Sequence, residues 1–191
     1  DTCLLTEFQE DMIAKGIVTG IEVFNNDEFY PRALSWSRDR KLTVFASSDV
    51  HGTISDDFGV HGSAASRTPF RPMTLVFVKE KTREGVREAL DGRRTLAYFH
   101  DNLAGEEQWL KLLFLASVQL EKVSEKGGSA SYKMTNLSGI QYKFTIGTAQ
   151  YTLDAGSSIH ITLPAAQREV SLHILNMHCY EGMHPVVSMA L

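Results

Sequence analysis

The hydrophobic pattern of this chain changes period near residue 124, and no uniform fold accommodates both parts. After Ser124, apolar and polar residues alternate in Ser131-Tyr-Lys-Met-Thr, Gln141-Tyr-Lys-Phe-Thr-Ile, Ser158-Ile-His-Ile-Thr-Leu and Val170-Ser-Leu-His-Ile-Leu, with Gly, Asn and Pro between them. Period two places successive side chains on opposite faces of a strand, and short strands at this spacing predict a small antiparallel sandwich. Before residue 105, strand-like runs (20–25, 43–46, 73–78, 95–99) instead alternate with helix-like ones. Thr6, Pro31 and Thr82 sit where helices start, and Gly16 and Gly92 where helices stop. Alternation of this kind predicts βα units and a parallel sheet or barrel. The expected organisation is an α/β portion over 1–104, a connecting helix over 105–123 and an all-β sandwich over 124–191. In that helix Trp109, Leu110, Leu112, Leu113, Phe114, Ala116, Val118 and Leu120 cover more than one face, which predicts burial on several sides.

Composition excludes several classes. A net charge of −4 with scattered Lys and Arg gives no footprint for nucleic acid, which argues against a nuclease-like role. No apolar run has the length of a membrane span. The two cysteines, Cys3 and Cys179, lie at opposite ends and form neither a disulfide framework nor a Cys-x-x-Cys zinc motif. The opening Asp1-Thr2-Cys3 lacks Met, so a processed chain or a fragment is expected.

The chemistry concentrates where one strand-like run ends. Thr43-Val-Phe-Ala leads into Ser47-Ser-Asp-Val-His-Gly, and residues i and i+2 of an extended backbone point the same way, so Asp49 and His51 can converge on one metal ion. The C-terminal end of a strand is where catalytic groups collect in α/β barrels. The plain alternative is a turn aspartate beside a surface histidine. Asn25, at the end of the 20–25 strand, is a candidate to face the same site, although amides there often only tie down loops. Glu22 in that strand reads equally as a ligand-orienting group or as a barrel-core residue. Arg71, just before the next strand, would suit a phosphate oxygen bidentately. His61 is a candidate substrate contact in the Gly-, Ser- and Asp-rich stretch 52–69, and Arg67 pairs as readily with Asp56 or Asp57. His178-Cys179 and His184 look at first like a metal cluster, but they fall inside or beside the last strands, where His178 and His184 need not converge, and ordinary strand and turn residues are the favoured reading; His160 and His173 fit the polar alternation of their strands. Ser47 and Ser48 lack an orienting partner for nucleophilic catalysis. No Gly-x-Ser-x-Gly elbow, phosphate-binding glycine loop or His-Glu-x-x-His is present.

Taken in order, Gly20-Ile-Glu-Val-Phe-Asn, Glu28-Phe-Tyr-Pro-Arg-Ala, Ser47-Ser-Asp-Val-His-Gly and Arg71-Pro-Met-Thr-Leu-Val-Phe-Val-Lys-Glu resemble the C-terminal half of a PHP (polymerase and histidinol phosphatase) domain. The likeness runs over roughly residues 6–120 and is greatest to the bacterial phosphodiesterase-type branch with a β-sandwich tail. The resemblance implies a distorted β/α barrel holding two or three divalent ions, typically zinc, manganese or iron. The family's last metal motif falls on Asp49 and His51. Its first motif, His-x-His, has no counterpart here, nor do the intermediate His and Glu ligands.

The expected fold class is therefore α/β, a partial PHP-like β/α barrel followed by a small all-β sandwich. The expected activity is that of the C-terminal portion of a metal-dependent phosphoesterase, incomplete as an isolated chain. In it, metal-bound hydroxide would hydrolyse a phosphodiester or phosphomonoester of a small molecule. Asp49 and His51 would hold metal, and Arg71, Asn25 and His61 would contact substrate. A homo-oligomer covering the open barrel face is the expected partner arrangement. The alternative is a non-catalytic barrel remnant whose β-sandwich binds a partner or a glycan. Localisation stays open between export to the periplasm, as in sandwich-tailed relatives, and the cytoplasm.

Overall fold

The computed structural model describes residues 4–52 and 71–191. The chain divides into two compact units, one running to Glu106 and taking in Cys179–Gly182, the other Glu107–His178 with Met183–Leu191.

In the first unit, Thr6 caps α1 (Glu7–Ala14): its side chain accepts from Gln9 N–H while the Gln9 side chain returns to the Thr6 N–H. No residue of α1 is buried, and Phe8 is 71% exposed. Strand β1 (Gly20–Asn25) pairs antiparallel with the short β2 (Glu28–Phe29), and Pro31 then opens α2 (Pro31–Arg40) at a position where its missing N–H costs nothing. Arg40 of α2 ion-pairs with Glu10 of α1. Strand β3 (Thr43–Ser47) returns parallel to β1, in register from Gly20↔Thr43 to Asn25↔Ser47. A Cβ at Gly20 would lie 2.4 Å from the Phe45 ring, so any other residue there must displace that ring. Val23, Phe24, Ala33, Leu34, Val44, Ala97, Phe99 and Ala104 form the core, with the Phe24 and Phe29 rings 4.8 Å apart.

The expected partial β/α barrel is not there. Among the described residues the protein is mostly β, built from four small sheets and four helices, and β1–α2–β3 makes a parallel step. After β4 (Met73–Val76), helix α3 (Arg83–Asp91), capped by Thr82, leads to β5 (Thr95–Phe99), which pairs antiparallel with β4. A helix between two strands thus does not impose the parallel crossover that the alternation predicted. Strand β6 (Asn102–Gly105) folds back on β5 through His100 and Asp101, whose φ values of 47° and 60° make the tight turn that matches strand twist. At β3, threonine hydroxyls stand where a barrel would continue its ladder. Thr74 Oγ1 accepts from Ala46 N–H at 3.0 Å and lies 3.2 Å from Ala46 O, while Thr95 Oγ1 donates to Val44 O at 2.8 Å.

The second unit opens with α4 (Glu107–Ser117), shorter than the 105–123 helix expected from the sequence. The chain becomes strand β7 (Val118–Lys126) at Val118, because that segment pairs along its length with β8 (Ser129–Asn136). Only Leu110, Phe114 and Ser117 of α4 are buried, so it presents one stripe rather than several faces. Strands β7, β8 and β11 (Ser158–Pro164) form one antiparallel sheet; β10 (Ala149–Leu153), β9 (Tyr142–Ile146), β12 (Glu169–Ile174) and β14 (Val186–Ala190) form the other. The arrangement is sandwich-like. Its core includes Tyr132, Met134, Tyr142, Phe144, Ile161, Leu172 and Ile174, with Phe114 edge-on to Tyr142 at 5.0 Å.

Candidate functional site

The parallel pair β1–β3 brings two strand ends side by side: Asn25 faces Ser47 in register, and Asn26 N–H donates to Ser47 O at 3.0 Å. Three threonines fix β3 from its other side, since Thr43 Oγ1 also donates to Leu90 O at 2.9 Å, adding to the bonds of Thr74 and Thr95. The strand stops at Ser47, and Asp49 turns into the left-handed region (φ 52°), which aspartate tolerates better than most residues.

That turn, rather than an extended i, i+2 geometry, brings the predicted pair together. Asp49 Oδ1 lies 3.5 Å from His51 Nε2, with the side chains 54% and 89% exposed. Two donors on one tetrahedral zinc, each about 2.0–2.1 Å from it, stand about 3.3 Å apart. The 3.5 Å separation is that of an ordinary carboxylate–imidazole contact as well as of two ligands on one ion. Among the described residues no group of three or more His, Cys, Asp or Glu is placed to hold a metal ion, so the pair is not completed.

Arg71 shares an open concavity of about 650 Å³ with Ala46, Ser47, Ser48, Asp49 and Thr74. The concavity thus carries a guanidinium and a carboxylate on its lining. Asn25 serves a different surface. Its Nδ2 donates to Glu22 Oε2 at 2.8 Å, and both residues line a second concavity, of about 620 Å³, walled by Ile21, Phe29 and Trp36. His61 and Arg67 lie outside the described residues.

A cluster that sequence reasoning did not bring together lies in the sandwich unit. The His178 and His184 rings are 4.9 Å apart, and the His173 and His184 rings 5.7 Å apart. The signal was three histidines within twelve residues; the strand assignment concealed it, because alternation put His173 on a polar face and said nothing of the returning chain. Burial, followed by the neighbouring His184, lowers the His178 pKa to about 4.

No family model matches the chain, and no curated protein does. Among solved structures it is similar to a two-domain protein from Bacteroides vulgatus ATCC 8482, described as containing a predicted PHP-like metal-dependent phosphoesterase. The TM-score is 0.88 at 28% identity, over 100% of this chain and 58% of that one. The chain thus spans little more than half the length of that neighbour, and the likeness supports a PHP-like fold.

Proposed function

We propose that this chain is the C-terminal portion of a metal-dependent phosphoesterase acting on a phosphodiester or phosphomonoester of a small molecule. The observation that carries the reading is the likeness, along the entire chain, to a protein described as a predicted metal-dependent phosphoesterase. The 3.5 Å approach of Asp49 to His51 at the end of β3 supports it.

In this reading Asp49 and His51 supply two ligands to a zinc, manganese or iron ion, and donors from outside the described residues supply the rest. When bound, such an ion contributes Lewis acidity and lowers the pKa of a coordinated water. The protein's own part is positional. Arg71 engages phosphate oxygens across the concavity it shares with Asp49, and the left-handed backbone at Asp49 holds the carboxylate toward that depression.

Metal content and hydrolysis of a nitrophenyl phosphodiester are measured for this chain and for a form extended upstream, each with Asp49→Ala and His51→Ala. The expected result is a metal-loaded, active extended form that loses both metal and hydrolysis with either substitution. Activity and metal content that survive both substitutions would overturn the reading. The competing reading, a non-catalytic chain whose sandwich unit binds a partner or a glycan, draws on the incomplete ligand set; inactivity of both forms would favour it.

A further inference from the structure

We propose that His173, His178 and His184 form a second metal site, in the sandwich unit, for a divalent transition-metal ion of the zinc, nickel or copper class. It does not depend on the phosphoesterase reading, because none of its residues belongs to the Asp49 site.

The backbone supplies the framework. His173 sits on the outward face of β12, where it is held opposite Val186 of β14 and Thr145 of β9. His178 belongs to the short strand β13 (Met177–His178), and His184 lies in the segment leading to β14. The His184 ring stands between the other two, at 4.9 Å and 54° to His178 and 5.7 Å and 69° to His173. Two imidazoles on one ion have nitrogens about 2.0–2.1 Å from it. Adding roughly 1.1 Å from nitrogen to ring centre, a tetrahedral angle gives centres on the order of 5 Å apart. The two observed separations are of that size.

The hydrogen bonding of the central ring also favours a ligand. His184 Nδ1 lies 2.7 Å from Met177 O. A carbonyl oxygen only accepts, so Nδ1 carries the proton and Nε2 keeps its lone pair. Metal-binding histidines are typically oriented in this way, by donating the other ring N–H to a carbonyl.

The rings pack against one another, and no three donors among the described residues are placed to hold an ion as they stand. Closing the site takes rotation of the His173 and His178 side chains toward His184, whose ring stays anchored on Met177 O.

The test uses the full chain, dialysed against EDTA and titrated with Zn²⁺ and Ni²⁺ by calorimetry, with imidazole NMR signals followed in parallel. The expected result is one ion per chain that perturbs the signals of His178 and His184. Its affinity should fall at least about tenfold in His184→Gln and His178→Gln, and stay unchanged in Asp49→Ala. His173→Gln, on an exposed strand face, guards against misfolding of the other variants and should also weaken binding. Metal lost only in Asp49→Ala would refute this site while sparing the phosphoesterase reading. Binding that ignores all three histidine substitutions, with signals of His178 and His184 unmoved, would mark an adventitious ion only.

Discussion

Asn136 gives the sharpest test of how the sandwich unit is held. It ends β8 in one sheet and is 1% exposed. Its Nδ2 donates to Ile140 O at 2.7 Å and Asp154 O at 3.1 Å, with a longer approach of 3.4 Å to Leu153 O. Its Oδ1 accepts from Ser138 N–H at 2.9 Å and Ser138 Oγ at 2.8 Å. One amide thus ties the end of β8 to the entry of β9 and the exit of β10 in the opposite sheet. Asn136→Ala removes four well-formed bonds at about 1 kcal/mol net each, and partial filling by water reduces the loss to roughly 3 kcal/mol. For a unit of 60–100 residues that corresponds to a fall in Tm of about 12–24 °C. Asn136→Asp keeps the acceptor but sets a carboxylate oxygen against two carbonyl oxygens, so at neutral pH it should cost more than the alanine. Urea unfolding of the full chain followed by circular dichroism measures both, with an unchanged m-value as the check on two-state behaviour. A cost below about 1 kcal/mol for alanine, or equal costs for the two variants, would show that the amide does not cross-link the sheets.

Two further outcomes are expected. Because the folded pKa of His178 is depressed to about 4 from its ordinary 6.5, the unfolded chain takes up a proton first as pH falls; stability should therefore drop between those values, by on the order of 2 kcal/mol for a partly exposed ring. His178→Gln in EDTA should flatten that slope, and a slope unchanged by the substitution would place the proton elsewhere. Gly20→Ala should destabilise the first unit by about 1–3 kcal/mol, since its Cβ would meet the Phe45 ring at 2.4 Å; a neutral effect in chemical denaturation would show that the ring moves aside freely.

Much of the local structure was legible because its causes are local. The Thr6 capping box, Pro31 at the start of α2, Thr82 before α3 and the β5 run Thr95–Phe99 all follow from neighbours within four residues. The β5–β6 turn was not, because His100-Asp101 takes a conformation usually signalled by Asn-Gly. The helix after Glu106 was read too long, because Val118 to Lys126 is drawn into strand by pairing with β8, a non-local partner. The approach of Asp49 to His51 was expected from an extended backbone and comes instead with a left-handed turn at Asp49.

The change of pattern near residue 124 and the helix caps are written in the sequence, since periodicity and capping act over a few residues. The antiparallel pairing of β4, β5 and β6, and the threonine hydroxyls that bond β3 where barrel strands were expected, emerged with the tertiary fold. It alone brought His173, His178 and His184 together. Strand direction and side-chain convergence depend on which distant segments meet, and a one-dimensional pattern of hydrophobicity carries no record of that choice.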